Sequence, residues 1–327
     1  MRNQNNHTLY NRYRAQVEQR LRSLVIKKNP VTVYDPIRYV LSSGGKRVRA
    51  VLTLLSCSAV GGTILQALDA AAAIEILHNF TLVHDDVMDN ADMRRSRMTV
   101  HKKWDTNVAI LSGDEMIAYA YRSLLKTKTS RLPQVLDVFT DAFVQVCEGQ
   151  GLDKEFESRS GVILDDYMLM IGKKTARVIS ASAEIGSIIG GGTNAQAAAL
   201  RTYGEHLGLA FQIQDDLLDI DGSEQEFGKP IGGDVKEGKK TYLLLRAFER
   251  VNGNDKKLLK SLKPGNGISK STIRRVQSIY QHNGVIDDAR KEVERNTLKA
   301  QQSLAGFSGK PKEMLMWLSD QLLRRNS

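Results

Sequence analysis

Apolar residues recur at intervals of three and four along most of the 327-residue chain. The clearest stretches are 67–86, 173–190 and 195–219, and this spacing places apolar side chains on one face of an α-helix. Strict alternation of apolar and polar residues, which would indicate strands, is scarce. The pattern therefore predicts an all-α fold whose helices turn their apolar faces toward a core.

Proline and glycine indicate where these helices begin and end. Two long stretches, 37–132 and 134–229, are separated only by Pro133 and contain no other proline, and proline breaks helix interiors. Short glycine-rich breaks such as 44–45 predict turns between helices, because none is long enough for a domain linker. We therefore expect one domain over residues 1–327, ending in C-terminal helices within 268–327.

The charge is unevenly distributed along the chain. Hydrophobic residues make up 41% and charged residues 26%, a balance typical of soluble globular proteins. The net charge of +10 combines +9 in residues 1–50, −7 in 51–250 and +8 in 251–327. Such an excess suits nucleic acid, anionic membrane or phosphorylated substrates. Because no nucleic-acid-binding motif is present, we expect no nucleic-acid partner.

The remaining compositional features indicate the compartment. Cys57 and Cys147 cannot form a disulfide framework, and the N-terminus lacks the apolar stretch of a secretory signal. The most apolar stretch, 51–77, is interrupted by Asp69 and Glu75, which excludes an integral membrane segment there. We expect a cytoplasmic protein.

Two aspartate clusters share the spacing DDxxD, and each follows an apolar helical stretch. Residues i and i+4 of a helix share a face, so both outer aspartates of a cluster project side by side. A solvated acidic face explains one such run equally well. Two matching runs favour a cation, because Mg²⁺ is bound by one or two carboxylates together with phosphate oxygens and water. The predicted metal ligands are Asp85, Asp86, Asp89, Asp215, Asp216 and Asp219.

Basic residues lie beside both clusters. Arg94 and Arg95 follow the first cluster, and Lys229 and Lys239 follow the second. The sequence GGKRVR at 44–49 lies at a predicted transition from loop to helix, where backbone N–H groups favour anions. Arginine forks and lysine point charges bind phosphate. Carboxylates, a metal and cations together indicate a diphosphate site.

In this order, the motifs resemble those of the trans-isoprenyl diphosphate synthases, the polyprenyl synthetases, over about residues 35–245. The resemblance is carried by GGKRVR at 44–49, LVHDDVMDNADMRR at 82–95, KT at 174–175, and FQIQDDLLD at 211–219 with GKPIGGDVKEGKKT after it. It implies one polyprenyl synthetase domain, a helical bundle around a deep central cavity, that forms a homodimer. It also implies three Mg²⁺ ions, with Mn²⁺ as a substitute.

The resemblance implies a prenyltransferase that condenses isopentenyl diphosphate with dimethylallyl, geranyl or farnesyl diphosphate by ionisation, condensation and elimination, releasing diphosphate. The residues implied to hold the allylic diphosphate are Arg94, Lys174, Lys229 and Lys239. Those implied to hold isopentenyl diphosphate are Lys46, Arg49, His78 and Arg95. Residues implied to act in catalysis are Lys174, Thr175 and Gln212, the last two through oxygens near the carbocation. From the sequence alone, a lone histidine such as His78 in an apolar helix is usually a packing residue.

Product length is implied by the residues before the first aspartate cluster. Phe80 and Thr81 lie five and four positions before Asp85. In the resembling enzymes an aromatic residue at the fifth position accompanies short products. We therefore expect a C15–C20 product, C20 before C15, although Phe80 is also compatible with plain core packing. A departure follows Arg95, since Ser96 and Met98 stand where the family commonly has Gly and Pro.

Three other functions are alternatives to this prenyltransferase. A terpene cyclase of the same fold would need neither GGKRVR nor a second DDxxD, and a non-catalytic partner subunit would lack the aspartate motifs. A longer-chain polyprenyl diphosphate synthase would be expected to carry a small residue in place of Phe80.

Overall fold

A computed structural model describes residues 2–24, 29–221, 232–262 and 268–323. Most of them are helical. The helices are α1 (Arg2–Leu24), α2 (Val31–Leu41), α3 (Val48–Ala59), α4 (Ile64–Met88), α5 (Val100–Lys103), α6 (Thr106–Leu124), α7 (Leu132–Ser158), α8 (Leu164–Ile171), α9 (Arg177–Ile189), α10 (Asn194–Asp221), α11 (Gly233–Glu237), α12 (Tyr242–Arg250), α13 (Gly253–Lys260), α14 (Lys270–His282), α15 (Val285–Ser303) and α16 (Gly309–Leu323). The predicted all-α class is confirmed.

Two elements depart from the α-helical pattern. A π-helical turn, Gly172–Ala176, joins α8 to α9, inside a stretch that the apolar periodicity assigned to one helix. Two-residue strands, β1 (Met93–Arg94) and β2 (Arg97–Met98), pair antiparallel after α4. Both elements contain residues that the sequence places in the functional site.

The chain divides into two compact units. Unit 1 comprises residues 1–143, 181–201 and 306–317, and unit 2 comprises residues 144–180, 202–305 and 318–327.

In unit 1, α4 packs against α3 and α6. Its run of alanines at 70–73 is fully buried, and an apolar surface on all sides is typical of a central helix. Thr63 and Gln66 form a capping box that satisfies backbone groups where the helix begins. The opposite end of α4 carries the first aspartate cluster.

In unit 2, α10 supplies Ala210, Ile213, Leu217 and Ile220 to one buried apolar cluster. Most of its other side chains come from α8, α12, α14 and α15. The second aspartate cluster lies on the same stretch of α10, so its carboxylates are held on a rigid and largely buried scaffold.

The hairpin explains the departure that follows Arg95. Met93 pairs with Met98 and Arg94 with Arg97, which leaves Arg95 and Ser96 as a two-residue loop. Both loop residues have positive φ, 52° and 58°, as a type I′ turn requires. Glycine adopts this conformation without strain, so the glycine common in the resembling enzymes suits position 96, and serine here carries a conformational cost.

Candidate active site

The first aspartate cluster lies at the C-terminal end of α4. Asp85 and Asp86 lie in its last turn, and Asp89 caps the helix with its backbone still in the right-handed helical region. Asp86 is 5% exposed, whereas Asp89 is exposed. Arg94 Nε donates to Asp86 Oδ1 at 2.7 Å. Burial raises the pKa of Asp86, and the guanidinium of Arg94 opposes that rise.

Arg95 ties the hairpin to the glycine-rich loop before α3. Its guanidinium donates to Gly44 O at 2.6 Å and to Ser43 Oγ at 3.2 Å. It also lies against Gly45, where a Cβ would come within 3.2 Å of Arg95 Cζ. A glycine at 45 therefore leaves room for the guanidinium to lie on the loop. The structure brings Arg95 to the GGKRVR segment, from which it is about fifty residues distant in sequence.

Arg49 and His78 contact each other, with 3.2 Å between Arg49 Nη1 and His78 Nε2. Desolvation and the nearby positive charge of Arg49, Arg95, Arg94 and Arg47 hold the pKa of His78 well below 6.5. The imidazole is therefore neutral at pH 7 and accepts a hydrogen bond from the guanidinium. His78 therefore contacts Arg49, one of the predicted diphosphate ligands, and its role in binding stays a prediction.

Arg47 supports the glycine-rich loop before α3 through buried hydrogen bonds. Its side chain is fully buried and donates to Glu75 Oε1 at 2.9 Å, Glu18 Oε1 at 2.7 Å and Leu41 O at 2.6 Å. It has a left-handed backbone, with φ 52°, where α3 begins, so the predicted transition from loop to helix is confirmed. Lys46, next to it, is exposed. These two adjacent cations of the motif therefore differ in role, because Lys46 faces solvent and Arg47 supports the loop.

Phe80 packs within unit 1 among aromatic rings. Its centroid lies 4.7 Å from that of His84 and 5.6 Å from that of Phe143, both in edge-on geometry. Phe80 is 6% exposed. Thr81 Oγ1 donates to His78 O at 2.8 Å, so its hydroxyl is directed along its own helix. Sequence reasoning missed Phe143, which lies 63 positions beyond Phe80 with no local spacing to connect the two.

The π-helical turn in unit 2 presents Lys174 and Thr175. Lys174 Nζ lies 2.6 Å from Asp153 Oδ2 of α7, and Thr175 Oγ1 donates to Gln212 Oε1 at 2.9 Å. Gly208 of α10 allows this approach, because a Cβ there would come within 2.5 Å of Ala176 Cα. Two of the predicted catalytic residues, Thr175 and Gln212, are thus in direct contact.

The aspartates of the second cluster differ in burial. Asp215 is partly exposed, whereas Asp216 and Asp219 are 5% and 7% exposed. Asp219 accepts backbone N–H groups of Gly233 and Asp234, both at 3.1 Å. Burial raises the pKa of Asp219 and of Asp234, and for Asp234 the neighbouring carboxylates raise it further. This crowding of carboxylates favours a cation.

Asp216 contacts three groups of the protein. Tyr167 OH donates to its Oδ2 at 2.6 Å, the backbone N–H of Tyr242 donates to the same oxygen at 3.0 Å, and Gln212 Nε2 lies 3.2 Å from Oδ1. Burial raises the pKa of Asp216 to about 7, against the lowering effect of these hydrogen bonds. No local spacing in the sequence connects Tyr167 or Tyr242 to this aspartate.

The lysines after the second cluster are only partly described. Lys239 Nζ lies 2.7 Å from Glu237 Oε2 and 3.8 Å from Asp234 Oδ1. Lys229 lies outside the described residues. Within the described ranges, no three carboxylate, imidazole or thiol groups converge as a ready-made metal site. The same part of the chain contains no helix that is both long and apolar enough to cross a membrane.

Most of the chain is similar to proteins of known family. The model of the family described as polyprenyl synthetase matches residues 30–281. A short chain isoprenyl diphosphate synthase of Methanothermobacter thermautotrophicus is 38% identical over 292 residues, 87% of this chain and 90% of that protein.

Solved structures are similar over nearly the whole chain. Geranylgeranyl pyrophosphate synthetase from Pyrococcus horikoshii Ot3 is 35% identical with a TM-score of 0.92, covering 97% of this chain and 98% of that one. A polyprenyl synthase from Caulobacter crescentus CB15, complexed with calcium and isoprenyl diphosphate, is 27% identical with a TM-score of 0.86, covering 99% and 96%. These findings do not favour a terpene cyclase or a longer-chain synthase. The chain belongs to the polyprenyl synthetase family and is a short-chain prenyltransferase.

Proposed function

We propose that the enzyme condenses isopentenyl diphosphate with an allylic diphosphate, in a Mg²⁺-dependent reaction, to geranylgeranyl diphosphate, with farnesyl diphosphate as the next candidate. One observation carries the proposal. The hairpin places Arg94 on Asp86 and Arg95 on the loop at Gly44 and Gly45. Cations of the hairpin and of the segment 44–49 thereby gather beside the first aspartate cluster.

Isopentenyl diphosphate would bind to Lys46, Arg49, His78 and Arg95. Exposed Lys46 supplies a point charge, and the guanidinium groups of Arg49 and Arg95 supply forked donors. A neutral His78 fixes Arg49 without adding charge. Once the C–O bond of the allylic partner has ionised, the double bond of isopentenyl diphosphate attacks its C1. The departing diphosphate then takes up the proton that the product loses.

The allylic diphosphate would bind to Arg94, Lys174, Lys229 and Lys239. Ionisation of its C–O bond leaves a carbocation, which uncharged dipoles stabilise without forming a bond to it. The Thr175 hydroxyl donates a hydrogen bond to Gln212 Oε1, so the lone pairs of the hydroxyl oxygen remain available to face a positive charge. Lys174, held by Asp153, supplies positive charge on the diphosphate side.

The carboxylates fit a divalent cation. Asp85, Asp89 and Asp215 are the less buried members of the two clusters, and their hard oxygens suit hydrated Mg²⁺. Three bound ions, replaceable by Mn²⁺, would supply Lewis-acid stabilisation of the departing diphosphate. Burial and the neighbouring carboxylates both raise the pKa of Asp234, and a positive ion at the second cluster would offset the repulsion between these carboxylates. The Caulobacter synthase, complexed with calcium and isoprenyl diphosphate, supports a site where cation and diphosphate bind together.

We propose further that units 1 and 2 make up one polyprenyl synthetase domain and that the enzyme is a homodimer. The family match across residues 30–281, which takes in segments of both units, supports one domain. Sedimentation at several protein concentrations would test the dimer.

The reaction is tested by incubating the protein with Mg²⁺, isopentenyl diphosphate and, separately, dimethylallyl, geranyl and farnesyl diphosphates. Dephosphorylated products are then separated by chromatography. A C20 alcohol supports the proposal, and no transfer to any allylic partner refutes it. Asp85→Ala and Asp215→Ala should abolish turnover with little loss of folding, and near-wild-type rates would refute the metal assignment.

A further inference from the structure

The two oxygens of Asp216 both contact groups of the protein itself. Oδ2 accepts from Tyr167 of α8 and from the backbone N–H of Tyr242 at the start of α12, and Oδ1 faces the amide nitrogen of Gln212, one turn earlier in α10. The aspartate is 5% exposed. These contacts occupy three of the roughly four acceptor positions of the carboxylate, and a side chain this buried leaves little room for a hydrated Mg²⁺ ion.

The same contacts fix the orientation of Gln212. The amide nitrogen of Gln212 lies 3.2 Å from Asp216 Oδ1 and can only donate, so Gln212 turns its NH₂ group toward Asp216. Its Oε1 then faces Thr175, whose hydroxyl donates to it at 2.9 Å. Two hydrogen bonds therefore run in the same direction: Thr175 Oγ1 donates to Gln212, and Gln212 Nε2 donates to Asp216. Reversing the amide would reverse the role of the Thr175 hydroxyl.

We propose that Asp216 is a positioning residue that sets the orientation of the Gln212 and Thr175 oxygens, and that it is not a metal ligand. The inference rests on the proposed function, since it concerns oxygens that face the carbocation. It divides the second DDxxD cluster by role. Asp215 remains a metal ligand, and Asp216 acts through Gln212.

Asp216→Asn tests this division. When the oxygen of the substituted amide is turned toward Tyr167 and Tyr242, its NH₂ group faces Gln212, and Gln212 must turn its own NH₂ group toward Thr175. We expect kcat to fall at least about tenfold, while the Mg²⁺ concentration for half-maximal rate changes less than about twofold. Mn²⁺ binding in the presence of inorganic diphosphate, measured by electron paramagnetic resonance, should match that of the wild type.

Asp215→Asn is the matched control on the neighbouring position. It should raise the half-maximal Mg²⁺ concentration and lower the number of Mn²⁺ ions bound. A loss of Mn²⁺ ions in Asp216→Asn like that in Asp215→Asn would overturn the inference. A wild-type protein that transfers no prenyl group refutes the proposed function instead, and the Mn²⁺ measurement still decides whether Asp216 is a ligand.

A double-mutant cycle tests whether Asp216 acts through Gln212. Adding Asp216→Asn to Gln212→Ala should lower kcat by less than about twofold further, because the group that Asp216 positions is already absent. Independent, multiplicative losses would contradict the inference. Should Asp216→Asn fold poorly, Tyr167→Phe keeps the carboxylate and removes one donor to it. That variant should lower kcat with unchanged Mn²⁺ binding, and wild-type kcat in it would also contradict the inference.

Discussion

Gly149 of α7 lies directly against the backbone of Lys174, so that a Cβ on Gly149 would come within 2.3 Å of Lys174 N. The atom it would meet belongs to the π-helical turn that presents Lys174 and Thr175. Backbone cannot move aside as a flexible side chain can. Because glycine has no Cβ, Gly149 allows the close approach that positions two of the predicted catalytic residues.

We expect Gly149→Ala to push this turn away from α7. Overpacking typically costs about 1–3 kcal/mol, and the displacement of Lys174 and Thr175 should lower kcat at least about tenfold. Gly151→Ala, two positions along the same helix, is the control. It has no atom within 4 Å of the added Cβ, so it should keep full activity and gain up to about 1 kcal/mol from helix propensity. Equal kcat values in the two variants would contradict this account.

Phe80→Ala should lengthen the product if Phe80 closes the space for the growing chain. The ring is held edge-on between His84 and Phe143, so its removal opens space that these neighbours do not refill by simple rotation. Chromatography of dephosphorylated products would show alcohols longer than those of the wild type.

Phe139→Ala is the control for Phe80→Ala. Phe139 is also buried, but its ring packs against Tyr121 at 5.2 Å. This variant should lose comparable stability without a change in product length. An unchanged product from Phe80→Ala would remove Phe80 as the determinant of chain length.

Ser96→Gly should stabilise the protein. Ser96 has φ 58° in the loop of the hairpin, where an L-residue other than glycine pays about 1 kcal/mol. Urea denaturation should show a gain of that order. Ser42→Gly is the comparison, because Ser42 has φ −82° and glycine there relieves no strain. A gain in both variants, or in neither, would show that the hairpin loop is not the source.

The protein should lose stability in mild acid through His78. The pKa of His78 in the folded state lies well below 6.5 because of desolvation and the surrounding arginines. As the pH falls below about 6.5, the unfolded state takes up a proton that the folded state does not. Unfolding free energy then falls by at most about 1.4 kcal/mol per pH unit, until the pH reaches the folded pKa.

Urea denaturation at pH values of about 7.5 and about 5.5, on either side of the unfolded pKa, measures this loss. His78→Gln should lose less stability over that interval than the wild type. His282→Gln, which replaces an exposed histidine at the end of α14, should behave like the wild type. If His78→Gln kept the whole acid-dependent loss, another group would have to account for it.

The helical class, the family and the kinds of group expected at the site all follow from residue order alone. Apolar periodicity is a local property, and so the stretches 67–86 and 195–219 appear as parts of α4 and α10. The two DDxxD clusters and the neighbouring basic residues can likewise be read from residue type and short spacing. Predicting these features does not require knowing which distant segments contact each other.

The partner of each group depends on how distant segments pack in the folded chain. Arg47 and Arg49 stand two positions apart in one motif, yet Arg47 is buried between Glu18 and Glu75, whereas Arg49 contacts His78. In the second aspartate cluster, the adjacent residues 215 and 216 are identical, yet Asp215 is partly exposed, whereas Asp216 is buried and accepts hydrogen bonds from α8 and α12. The physical reason is that burial and hydrogen bonding depend on contacts between segments far apart in sequence, and no short-range spacing encodes them.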